Sequence, residues 1–177
     1  MSVRSNYEKL IWWVAKFHSI FNTAWPRPGE PALAGASIFI GTTLFKTLEN
    51  CLGRIEHAID ETEGVEFGDE IKRFWAAFKA LFCAVSGQDR TEKSQRIDQA
   101  LNLLYFASGV FYHRLAELSF AKPDLDKDFI RIESFDELVT LCRWPRKADS
   151  VKSVFESLVE EMMACAAELE QPPSQEK

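Results

Sequence analysis

The side chains of this sequence best suited to holding a metal or attacking a substrate are three histidines and four cysteines. His57 stands four residues before Glu61 and His113 four before Glu117. On a helix that spacing puts both side chains on one face, where they can share a divalent ion, so a metal-dependent enzyme is one reading of the chain. The pattern that bundle proteins use for a pair of metals is Glu-x-x-His on two helices. Here the residues three before the histidines are Ala15, Arg54 and Val110. No metal site is assigned on this basis, and His–Glu pairing at the surface is the plainer expectation.

Cys51, Cys83, Cys142 and Cys165 lie far apart, each within an apolar-periodic stretch. Structural zinc needs ligands in close pairs, and no Cys-x-x-Cys is present. The four are expected to be reduced, buried small hydrophobes of a cytoplasmic protein. There is no Gly-x-Ser-x-Gly turn and no glycine-rich run ahead of a helix, so neither a serine nucleophile nor a phosphate-binding loop is indicated. No catalytic residue and no cofactor is predicted.

A different chemistry is suggested by Arg143, Trp144, Arg146 and Lys147, followed by Lys152. Four cations around an indole can hold phosphates while the ring stacks on a base, so a nucleic-acid-associated subunit is the alternative function. A second basic group, Arg90, Lys93 and Arg96, precedes a long apolar stretch. The net charge of −6 opposes general coating of nucleic acid. The negative charge is concentrated in residues 49–70 and 154–177, blocks that would steer basic partners. Membrane contact, disfavoured here, would run through Trp12, Trp13 and Phe17 with Arg4, Lys9 and Lys16. The longest uncharged runs, 31–45 and 100–113, fall short of the roughly 18–20 residues needed to span a bilayer.

These residues must be positioned by helices, since no strand pattern survives inspection. The spacing predicts helices over about 6–23, 31–63, 69–86, 91–121, 135–143 and 148–169. Ser5 with Glu8 and Ser134 with Glu137 read as capping boxes, and Gly87 as a C-terminal stop. The second helix carries a seam of Ile38, Gly41, Phe45, Leu48, Leu52, Ile55 and Ile59. The third has the cleanest pattern, Ile71, Phe74, Trp75, Phe78, Leu81, Phe82 and Val85. The fourth has a seam of Ile97, Leu101, Leu104, Ser108, Phe111, Leu115 and Leu118 and a second stripe of Leu103, Phe106 and Val110.

The fold expected is all-α, an antiparallel helical bundle of about five to six helices in one domain over 1–170, with 171–177 as a tail. With 14 Phe and five Trp, it can fill a core without disulfides or metal. A helix apolar nearly all round is either central or at a subunit interface. Leu103, Phe106, Val110 and His113 are therefore the candidate contact with a protein partner or a second copy. The first expectation for function is a non-enzymatic interaction module: a regulator, adaptor or small subunit of a larger assembly.

Overall fold

In the computed structural model the described residues are 3–24, 43–61, 68–87, 95–119, 132, 134–142 and 150–170. They form six helices and contain no strand: α1 (Val3–Ala24), α2 (Thr43–Glu61), α3 (Gly68–Ser86), α4 (Gln95–Ser119), α5 (Phe135–Cys142) and α6 (Val151–Glu170). The chain is an all-α bundle. α1 begins at Val3 rather than after Ser5, because nothing at residues 3–5 breaks a helix and Ser5 lies inside its first turns. The predicted start of the second helix, with Ile38 and Gly41, lies outside the described residues.

Local chemistry sets the other ends. Ser134 Oγ accepts the amide of Glu137 at 3.2 Å and starts α5. Ser150 and Ser153 cap α6 reciprocally, each hydroxyl accepting the other's amide at 3.2 and 3.3 Å. α3 stops where the Gly87 amide reaches the carbonyl of Cys83 at 3.1 Å.

Helix directions follow from which residues meet. His18 of α1 meets Ser108 of α4 while Asn22 meets Tyr105, so these two run antiparallel. Lys9 meets Glu61 and Trp13 meets Arg54, which sets α2 against α1. Arg114 reaches Glu70, and Arg96 reaches the carbonyl of Glu168, so α4 also opposes α3 and α6. α1, α3 and α6 therefore point one way, and α2 and α4 the other. α3 packs most extensively on α6, and α2 on α1.

α4 packs against α1, α3, α5 and α6, which is why it is apolar nearly all round. Its whole seam from Ile97 to Leu118 is buried, Ser108 included. Two aromatic clusters fill the space beside it. Phe17 packs edge-on to Phe78 and Phe82, with Phe45 stacked on Phe82. Phe74 stacks on Phe155 with ring centroids 3.9 Å apart, and Phe111 lies against both. All seven rings are buried.

The short α5 reaches this core through Leu138, which is buried against Gly109 of α4. A Cβ at position 109 would lie 2.5 Å from Leu138 Cδ2 and 3.3 Å from His18 Cε1, so the glycine permits the approach. Gly109→Ala should destabilise the fold by about 1–3 kcal/mol through overpacking, although alanine favours a helix by about 1 kcal/mol. Adding Leu138→Ala should give a double variant that loses less than the two single losses combined. Urea unfolding of the four proteins measures this; additive losses would show that Leu138 does not press on position 109.

Candidate functional site

The residues that could do chemistry are sorted by their burial. His18 is 1% exposed and stacks on Tyr105, ring centroids 4.7 Å apart. Ser108 donates to the Tyr105 carbonyl at 2.8 Å, which leaves its oxygen to accept from His18 Nδ1 at 2.6 Å. Tyr105 donates in turn to Asn22 Oδ1 at 2.8 Å. A histidine beside a serine suggests a nucleophile and its base, but Ser108 is itself buried and stands on the apolar seam of α4. Its geometry fits a polar tie between α1 and α4. The signal for it was legible: a serine in the middle of a hydrophobic seam needs a buried partner.

A second buried group closes the other end of α4. The Arg114 side chain is 9% exposed and grips Glu70 through two bonds, Nε to Oε2 at 2.7 Å and Nη2 to Oε1 at 2.9 Å. Its third nitrogen reaches Glu117 Oε1 at 2.6 Å. The hydrogen bonds to Glu70 push the guanidinium pKa up, against the opposing effect of burial. Tyr7 lies on the same side. Burial first, and the Glu70 charge second, push its phenol up to about 12. Nothing in local sequence pattern pairs residues 70 and 114, so sequence reasoning missed this site.

The other histidines follow the plain expectation in part. His57 pairs with Glu61 at 2.9 Å on an open surface. Glu117, the partner proposed for His113, is taken by Arg114, and His113 lies edge-on to Tyr112. Among the described residues no three His, Cys, Asp or Glu side chains converge as metal ligands. Of the cysteines, Cys51 is buried and Cys165 half-buried, but Cys83 is exposed on α3, beside Ala76 and Ala80. The α3 seam is satisfied without it. Burial pushes the thiol of Cys165 up to about 11, with Glu168 adding to the effect.

The expected contact stripe is divided by the fold. Phe106 and Val110 are fully buried within the chain, while Leu103 and His113 are half-buried at its edge. Arg143, Trp144, Arg146 and Lys147 lie outside the described residues. Lys152 is exposed on the first turn of α6 and lines a cleft of about 760 Å³. This cleft opens between the parallel N-terminal halves of α3 and α6. Its walls carry Asp69, Arg73, Lys152, Glu156 and Glu160, over a floor that includes Phe155 and Val159.

None of those five charged groups makes an ion pair among the described residues. Carboxylates outnumber cations, which opposes phosphate binding beside Lys152. The end of α6 is already capped by its own serines. No helix among the described residues is long and apolar enough to cross a membrane. No protein family, curated protein or solved structure matches the chain.

Two outcomes follow from the Arg114 group. Arg114→Met should cost about 2–3 kcal/mol by stranding Glu70, and a second change, Glu70→Gln, should recover part of it; denaturant titration checks both. The folded Tyr7 pKa lies above that of an exposed phenol, so the stability linked to it is present below about pH 10. It is lost as the pH climbs through about 12. The wild-type chain should therefore lose more stability than Tyr7→Phe across that window; parallel losses would contradict the assignment.

Proposed function

We propose that this chain is a non-enzymatic interaction module, a helical bundle that a protein partner recognises along the cleft between α3 and α6. The observation that carries this reading is the set of charges of both signs around that cleft that make no ion pair among the described residues. Asp69, Arg73, Lys152, Glu156 and Glu160 sit on two helices and form no ion pair on the described part of the chain. Charges grouped on neighbouring helices favour a complementary surface, raising the rate and specificity of association more than bare affinity.

The buried polar groups support the same reading. His18, Ser108, Tyr105, Arg114 and Glu70 are all engaged in tying helices together. A partner set by α6 belongs to a regulator, adaptor or small subunit, with protein rather than nucleic acid as the ligand. The alternative, a nucleic-acid-associated subunit, draws on Arg143, Trp144, Arg146, Lys147 and Lys152. Of these, Lys152 shares its cleft with more carboxylates than cations.

Native co-purification from the source cell, with and without nuclease, separates the two. The expected result is a nuclease-resistant complex by size exclusion with light scattering, lost in a Glu156→Lys/Glu160→Lys variant whose circular dichroism is unchanged. A complex that dissolves on nuclease treatment, or one that the double variant retains in full, would overturn the assignment.

A further inference from the structure

The exposed side of α6 is a stripe with a fixed rhythm. Glu156, Glu160, Met163, Ala167 and Glu170 recur at spacings of four and three, so they share one face of the helix. All five are exposed. Met163, at 58%, is the exposed large hydrophobic side chain among the described residues. Ala164 and Ala167 beside it are small and exposed, leaving the thioether standing above a shallow floor with carboxylates at both ends.

A patch of aromatic rings and cations lies on α1, joined by Arg54 of α2. Trp12 and Trp13 are half-buried, with their rings edge-to-face at 4.8 Å. Lys16 lies over both rings, 5.0 and 5.5 Å from their centroids, and Arg54 of α2 lies 5.6 Å over Trp13. Lys9, 45% exposed, stands one turn before them and reaches Glu61 only at 3.7 Å. Tryptophan and arginine together are the residue types that carry most of the energy where proteins meet.

We infer that these two faces bind each other between copies, so that the partner of the α6 stripe is the Trp12–Trp13 face of a second copy of this chain. The inference rests on the reading that α6 is the recognition surface. Its chemistry matches at each point. Lys9 and Lys16 flank the two indoles, seven residues or ~10.5 Å apart. Glu160 and Glu170 flank Met163 and Ala167, ten residues or ~15 Å apart, a difference that lysine and glutamate side chains can span. Between the charges a methionine sulfur meets indole rings, a favourable contact, and the small alanines admit the rings.

The two faces cannot meet within one molecule. α6 packs on α3 and α4, whereas α2 packs chiefly on α1, so the faces look outward from different sides of the bundle. A contact between unlike faces leaves each copy with one of each still open. Association is then head-to-tail and builds a ring or an open chain, not a two-fold dimer.

Light scattering on the purified chain over a range of concentration and salt tests this. The weight-average mass should rise with concentration at low salt and fall back on the order of the monomer at high salt. Lys9→Glu/Lys16→Glu and Glu160→Lys/Glu170→Lys should each be monomeric alone, since each then carries two faces of one sign. Mixed in equal amounts they should associate again. Carbodiimide coupling of a mixture of isotope-labelled and unlabelled wild-type chain gives a readout without substitutions. It should join Lys9 or Lys16 of one copy to glutamates of α6 in another.

A wild-type chain that stays monomeric at low salt overturns the inference, as does a charge-reversed variant that still associates alone. If that happens while a nuclease-resistant complex is still lost in the Glu156→Lys/Glu160→Lys variant, the interaction-module reading stands and only its partner changes. Vesicles of equal phosphatidylglycerol and phosphatidylcholine provide a further check. Sedimentation of a monomeric wild-type chain with them, abolished by Lys9→Glu/Lys16→Glu, would assign the tryptophan face to a lipid surface and overturn self-association.

Discussion

Everything in this bundle is arranged around the need to cover α4 on nearly all sides. A helix with apolar residues around most of its circumference cannot face water over any large sector. α1, α3, α6 and the short α5 each take one part of it. Large rings set the spacing. Phe74, Phe111 and Phe155 hold α3, α4 and α6 together, while Phe17, Phe78 and Phe82 hold α1 to α3. Close-packed interiors resist changes of even one methylene. Gly109 shows that constraint most sharply, since the approach of Leu138 leaves no room for a β-carbon.

Two polar groups breach this apolar helix, and each is tied to a neighbouring helix. Ser108 and His18 tie α4 to α1, and Arg114 with Glu70 ties it to α3. Their value lies in register as much as in energy: a buried donor accepts a narrow range of partners, and sliding one helix by a turn would strand it. Between them they fix α4 against α1 and α3 at separate heights. His18, Ser108, Arg114 and Glu70 thus join helices, while exposed charges lie on α6, α3 and the α1–α2 face.

That division explains the form of the surface. α6 has one side given to Val154, Phe155, Leu158 and Met162 and another to carboxylates around a single methionine. The α1–α2 side presents two indoles held by cations.

The helices were legible in the sequence because their determinants are local. Apolar spacing marked α3 residue by residue, and every member of that seam is buried. The Ser134 cap and the Gly87 stop lie where the pattern puts them. Apolarity all round α4 also implied a central place or an interface, but periodicity alone could not choose between them, since both demand the same residues. Only packing showed that Phe106 and Val110 face inward and that Leu103 and His113 reach the edge. The Arg114–Glu70 pair spans 44 residues, and the meeting of His18 with Ser108 spans 90. No local rule connects such positions. The tertiary structure decided them, because a helix sequence records which side is apolar but not which neighbour will cover it.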